Sequence, residues 1–281
     1  MKIVLSSLGL MVSLATALCA DPGSLSDLLG AGAPRERAVI DSFGAPGAAP
    51  MGVDWDDSSG ILYHIDELGG RVYSITPDGF ATELFSVTEA LGLPGDLYVG
   101  NGLCFDPGGG GTLLVSDFGG YAPLYVDMLY RFSLDGDLLR SVNVDSICDG
   151  VVGVCFDGAN YWLSSYVRGE IVKCDTAFAL VDALAHPGSS SGGLDFDPDT
   201  GAYYVTDIIT GTVYACDETM TVLGAFGGPA SELAGVAVGR TVRGRSLWCS
   251  SFGTGLVYEI DDLYTSPVEP SSWGSIKALF R

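Results

Sequence analysis

A phrase that recurs five times along the chain, starting at Gly52, Gly102, Gly153, Gly193 and Gly235, constrains the fold more than any single residue does. The copies read GVDWDDSSGILYHIDELGGRVYSI, GLCFDPGGGGTLLVSDFGG, GVCFDGANYWLSSYVRGEIVKCD, GLDFDPDTGAYYVTDIITGTVYACD and GVAVGRTVRGRSLWCSSFGTGLVYEID. A self-similar unit of roughly 40–50 residues, built from short alternating strands, is the signature of a β-propeller blade. Each unit covers its apolar faces only against its neighbours, so an unbroken run of copies implies one domain.

Within a copy, a glycine opens an apolar strand a, which in a propeller lines the central channel. Crowding near the axis favours a residue without Cβ there. Asp56, Asp106, Asp157 and Asp197 follow at the a–b turn, where a short carboxylate can bond the turn's own backbone. Strand b ends in Asp66, Asp117, Ser165, Asp207 or Ser251, each able to accept from the b–c turn. Strand c follows a further glycine. The segment Thr221–Pro229, which precedes the Gly235 copy, is matched by Ala38–Pro46 before the Gly52 copy. Residues 38–43 are therefore expected to supply the outer strand d of the last blade, closing the ring without an open sheet edge. The prediction is an all-β, five-bladed propeller of four-stranded blades. A six-bladed ring is the alternative and would need another copy.

Residues 1–20 read as a signal peptide: Lys2, an apolar stretch from Ile3 to Leu18, and small residues at Ala15-Thr16-Ala17. The stretch is shorter than a membrane span requires. Residues 21–37 are a lead segment, 38–265 the propeller, and 266–281 a linker and tail in which Trp273, Ile276 and Phe280 can share a helical face. A secreted or periplasmic location follows. The formal charge of −22 repels nucleic acid and anionic lipid and favours cations or cationic partners. In an exported chain the even set Cys104, Cys148, Cys155, Cys174, Cys216 and Cys249 invites disulfides. Cys174, Cys216 and Cys249 align with core positions of the other copies. One bond within Cys104, Cys148 and Cys155 stays open.

The cadence G-V-x-[FW]-D, then V-[TS]-D, then G-x-[VI]-Y-x-[IC]-D, resembles the NHL, SMP-30 and YncE-like group of extracytoplasmic propeller repeats over about residues 38–261. That resemblance implies the fold, and admits binding, lactonase, lyase or cyclase roles. SMP-30-like lactonases hold a divalent metal at the strand-a entrances. The matching positions here are Met51, Asn101, Val152, Gly192 and Ala234, so only Asn101 could ligate and that metal site does not carry over.

Two connections are longer than their counterparts, Thr88–Gly100 and Phe118–Asp127. They point to a ligand site on the face formed by the d–a and b–c connections. The candidate residues are Tyr98, Asn101, Asp117, Tyr121, Tyr125, Tyr166, Arg168 and His186, presenting to a small molecule, glycan or protein. Asp54 and Asp195 replace small residues at equivalent channel positions (Cys104, Cys155, Ala237). Buried carboxylates need a proton, a cation or a donor, so these two are the candidate holders of a channel Ca2+ ion. No cofactor is otherwise required. Asp195 to Gly201 superficially resembles a calcium loop but fits a hairpin turn better. An exported, monomeric binding protein is expected, with a propeller enzyme as the alternative.

Overall fold

The computed structural model describes residues 37–261 except 96, 120–125 and 242–243. The signal-peptide and tail readings, with Tyr121 and Tyr125, lie outside the described residues.

The described chain forms five sheets of four antiparallel strands. Blade 1 is β2 (Pro50–Asp56), β3 (Ile61–Asp66), β4 (Arg71–Ile75) and β5 (Ala81–Ser86). Blade 2 is β6 (Gly102–Asp106), β7 (Thr112–Asp117), β8 (Met128–Ser133) and β9 (Leu138–Asn143). Blade 3 is β10 (Val151–Phe156), β11 (Tyr161–Ser165), β12 (Glu170–Cys174) and β13 (Leu180–Ala185). Blade 4 is β14 (Ser191–Asp197), β15 (Ala202–Asp207), β16 (Thr212–Cys216) and β17 (Val222–Gly227). Blade 5 is β18 (Leu233–Thr241), β19 (Gly244–Ser251) and β20 (Leu256–Asp261), completed by β1 (Val39–Gly44) from the other end of the chain. Ser42 pairs with Tyr258 and Gly44 with Leu256, which is the predicted closure. Among the described residues no helix is long and apolar enough to cross a membrane.

Strand b is apolar on both faces because each blade is packed between two others. Leu113 and Val115 join the cluster shared with blade 1, whereas Leu114 between them joins the one shared with blade 3. Likewise Tyr161 and Leu163 face blade 2 while Trp162 faces blade 4. A period of two with both faces buried therefore yields continuous runs such as LLV, YWL, YYV and LWC. The core is a set of inter-blade layers, and the six cysteines are buried free thiols within or beside them. The disulfide left open among Cys104, Cys148 and Cys155 does not form.

The a–b turn aspartates act as the sequence implies. Asp56 accepts from Ser58 N, Asp106 from Gly108 N, Asp157 from Ala159 N and Asp197 from Asp199 N, the last being the hairpin that mimics a calcium loop. At the other end, Ser165, Asp207 and Ser251 accept from the b–c turn, at Arg168 N, Ile209 N and Thr254 N. Asp66 accepts both from Leu68 N of the b–c turn and from Ala49 N of its d–a connection, and Asp117 accepts from Gly100 N of its d–a connection.

His64 breaks the pattern. It stands where the other blades have Val115, Leu163, Val205 and Cys249, as the register with Val53 shows. The ring is fully buried, its Nε2 lies 3.3 Å from Pro46 O, and its Nδ1 has no partner. Burial pushes the imidazole down to about 4. The unfolded state therefore binds more protons between about pH 6.5 and 4, and stability falls as the pH drops through that window. His64→Leu is expected to raise stability at pH 7 by about 1 kcal/mol, by removing a buried unpaired nitrogen. It should also abolish a loss of about 2 kcal/mol between pH 7 and 5. Urea midpoints at the two pH values check both; an unchanged pH slope in the variant would assign the acid sensitivity elsewhere.

Candidate functional site

The five phrase-opening glycines meet at the axis. A Cβ on Gly52 would lie 2.5 Å from Leu103 N, one on Gly102 2.8 Å from Gly153 Cα, and one on Gly193 2.7 Å from Gly235 Cα. Adjacent inner strands approach so closely that the space enclosed by Gly52, Gly102, Gly153, Gly193, Gly235 and the residues after them is about 10 Å3. That is room for about one water molecule. The glycine layer is thus the narrow part of the axis.

Toward the a–b turns the axis opens into a bowl of about 350 Å3 to which all five blades contribute. Its walls are Trp55, Phe105, Phe156, Phe196 and Val238, the residue three places after each glycine in strand a. Trp55 stacks on Trp248 with centroids 5.6 Å apart, Phe105 on Tyr63 at 5.2 Å, and Phe156 and Phe196 tilt against Tyr161 and Tyr203. These rings are braced from behind by strand-b aromatics and cannot simply fold into the space.

Asp54 and Asp195 lie at the floor, only 7% and 8% exposed. Each carboxylate links two blades through backbone donors. Asp54 accepts from Trp55 N (2.7 Å) and from Phe105 N of blade 2 (2.5 Å). Asp195 accepts from Phe196 N (2.7 Å) and from Val238 N of blade 5 (2.6 Å). Strand a is an inner edge whose outward N–H groups lack a ladder partner, and a carboxylate from the preceding blade supplies one. Burial nevertheless dominates: it pushes Asp54 up to about 7 against these donors, and pushes Asp195 well up, with the Asp54 charge adding to the effect. Cys104 and Cys155, at the equivalent positions between them, are pushed well up by burial and remain thiols.

The rim is held by polar contacts between blades. Asp106 receives Arg131 (2.7 Å) and the Tyr161 hydroxyl of blade 3 (2.9 Å). Asp157 receives Trp162 Nε1 (2.7 Å) and the Tyr203 hydroxyl of blade 4 (3.0 Å). Asp197 pairs with Arg245 of blade 5 at 2.6 Å, and Arg240 N of that blade donates to Asp57 (2.9 Å). Sequence reasoning identified Asp106, Asp157 and Asp197 as turn residues but missed their reach into the next blade, and did not single out Asp57. The reach depends on inter-blade register, which no local pattern encodes.

The residues proposed for the d–a and b–c face fall into three groups. Asn101 donates to Glu67 Oε1 and accepts from Phe118 N, both at 2.9 Å, close to Asp117 and to Tyr98, which pairs with Leu68. Glu67 was not foreseen; burial pushes both it and Asp117 up to about 7. Arg168, next to Tyr166 in blade 3, reaches Ile147 O and Asp145 O. His186 lies between blades 3 and 4, with Nε2 at 3.3 Å from Thr206 O and Nδ1 accepting from Gly188 N. The long Thr88–Gly100 connection begins within α1 (Val87–Ala90), capped by Ser86, and sends Leu91, Leu93 and Leu97 onto the blade 1–2 core. Among the described residues no three His, Cys, Asp or Glu side chains gather so as to hold a metal ion.

Solved structures resemble this propeller at low identity. A glutaminyl cyclase from Myxococcus xanthus aligns with 81% of this chain and 97% of its own, at 16% identity and a TM-score of 0.58. A calcium-binding regucalcin from Agrobacterium tumefaciens covers 82% and 95% of the two chains at 13% identity and 0.54. A chain of the mitotic checkpoint complex covers 82% and 97% at 11% and 0.52. These likenesses concern the propeller fold. No protein-family model matches the chain, and no curated protein does.

Proposed function

We propose that this is an exported binding protein whose small-molecule ligand occupies the bowl on the a–b face. The observation that carries the reading is the bowl itself: about 350 Å3, walled by braced aromatic rings, and floored by two buried carboxyl groups. A largely apolar concavity with a few convergent polar groups is the general form of a small-molecule site. Burial of Asp54 and Asp195 costs stability unless a ligand or a proton compensates, so the floor favours an occupant. The outward turns of the same face carry further acids, including Asp57, Asp78, Asp135, Asp175 and Asp217, which raise the local concentration of cations. Export is supported by the apolar segment at residues 3–18.

A catalytic reading draws on the same pair. Two carboxyl groups, one of them pushed to about 7, can donate and accept a proton near neutrality. The structural relatives include an enzyme and a calcium-binding protein, so the shared fold does not choose between the readings.

Small-molecule screening read by Trp fluorescence and thermal shift tests the site. Compounds that bind are expected to lose about tenfold in affinity in Phe156→Ala and nothing in Phe80→Ala, an exposed ring at a c–d turn. Bound density over Asn101, Tyr166 and Arg168 with the bowl empty would return the site to the opposite face. Turnover by the wild type that Asp54→Asn abolishes would make the protein an enzyme.

A further inference from the structure

We infer that the bowl selects an organic ammonium ion, a protonated amine on a small apolar or aromatic body. The inference rests on the bowl being the binding site and concerns which chemistry fits it.

The hydrogen-bonding groups of the bowl are arranged as acceptors. Both oxygens of Asp54 and of Asp195 already receive a backbone N–H, and Asp54 also draws the Cys104 thiol, so the donors nearest the floor are used, and the remaining lone pairs call for a donor from outside. Asp56 is occupied by Ser58 and Ser59, and Asp157 by its turn, Trp162 and Tyr203. An anion would meet carboxylates, and a neutral acceptor would find only the carboxyl proton that the floor gives up as the pH rises. A donor carrying positive charge satisfies the floor, and the faces and edges of Trp55, Phe105, Phe156 and Phe196 receive its apolar body.

A bare metal ion fits less well. Ca2+ takes about six to eight oxygen ligands, whereas the walls here are hydrocarbon rings. An ammonium ion needs only a few acceptors and gains from aromatic faces, so the same two aspartates that drew attention as candidate calcium holders suit an organic cation better. The volume, near the lower end for small-molecule sites, matches an aralkylamine and excludes a folded partner.

Occupancy is coupled to a proton. The groups acting on the pair are Asp56 and Asp197 on the same strands and the Cys104 and Cys155 thiols of the intervening ones, all anionic or neutral. A floor that holds a proton when empty gives it up to solvent as the ammonium docks, leaving a carboxylate–ammonium pair and one released proton.

Titration calorimetry of the full protein with phenethylammonium, its neutral counterpart phenethyl alcohol, and Ca2+ tests the inference. Phenethylammonium is expected to bind at least about tenfold more tightly than the alcohol. Its affinity should rise about tenfold between pH 6 and 8, where the amine stays charged and the floor ionises. Asp54→Asn and Asp195→Asn should each remove the preference and flatten the pH profile. Should either variant fail to fold, the two wild-type comparisons still decide. Equal binding of ammonium and alcohol overturns the ligand class; if Phe156→Ala then weakens both, the bowl stands as a site for neutral compounds. Ca2+ binding more tightly than the amine, in a manner lost with Asp54→Asn, overturns it in favour of an ion. Absence of phenethylammonium binding at millimolar concentration overturns it as well. Loss of the bowl reading itself would show as screening compounds that bind with no sensitivity to Phe156→Ala.

Discussion

Gly193→Ala is expected to destabilise the propeller by about 3 kcal/mol or more, although it adds one methyl group. The new Cβ would sit 2.7 Å from Gly235 Cα, 2.9 Å from Ala234 O and 2.9 Å from Val236 N. All three are backbone atoms of the next blade, so no side chain can rotate away. Blades 4 and 5 would have to separate, and in a closed ring that separation passes to the other inter-blade layers. Gly227→Ala is the control: it lies on β17 with nothing within 4 Å of the added carbon, and should change stability by less than about 0.5 kcal/mol. Urea denaturation distinguishes the two through the midpoint at constant slope. A Gly193→Ala midpoint equal to that of the wild type would mean the ring can expand, and the glycine at the head of each copy would then need another explanation.

Truncation before Ala45 is the second large effect. It removes β1 and leaves β20 as an unpaired edge beside Trp248, against which Phe43 packs at 6.1 Å between ring centroids. Loss of the half-buried Phe43 side chain alone should cost about 1–2 kcal/mol. Losing the strand's ladder with β20 adds to this, and the bared edge should promote aggregation. A permuted chain in which residues 37–46 follow Asp261 through a short glycine-rich turn should recover the wild-type midpoint, because the d strand then arrives as in blades 1–4. It should also fold faster, since the last contact to form becomes local in sequence. A truncated protein that melts with the wild type would show that β1 decorates the ring without closing it.

These two expectations come from features visible in the chain before any coordinates. Aligning the copies located the axial glycines, assigned the turn aspartates and serines to the scaffold, and read Cys174, Cys216 and Cys249 as core fillers. It also placed 38–43 in the last blade, because Ala38–Pro46 matches the strand d segment Thr221–Pro229 that precedes the Gly235 copy. Asp54 and Asp195 were legible for a different reason: they depart from small residues in an otherwise regular column. Trp55, Phe105, Phe156 and Phe196 were equally visible as a column of the repeat, but their common role was not. Alternation along a strand says which residues share a face. It does not say how far apart five such faces lie at a given height along the axis.

That spacing is a property of the assembled ring. At the glycine layer the inner strands pack backbone to backbone and leave space for about one water. A few residues further along, rings of indole and phenyl hold the strands' surroundings apart and enclose about 350 Å3. The same strands therefore narrow one part of the axis and open another. Period, glycine position and repeat count in the chain dictated a closed five-bladed ring, since these are local and repeated five times. The bowl, the inter-blade donors that its two carboxylates accept, and the rim contacts from Asp106, Asp157 and Asp197 to the next blade were decided by tertiary structure alone. They depend on distances between residues some 40–50 or more positions apart, which are set only when the last strand joins the first.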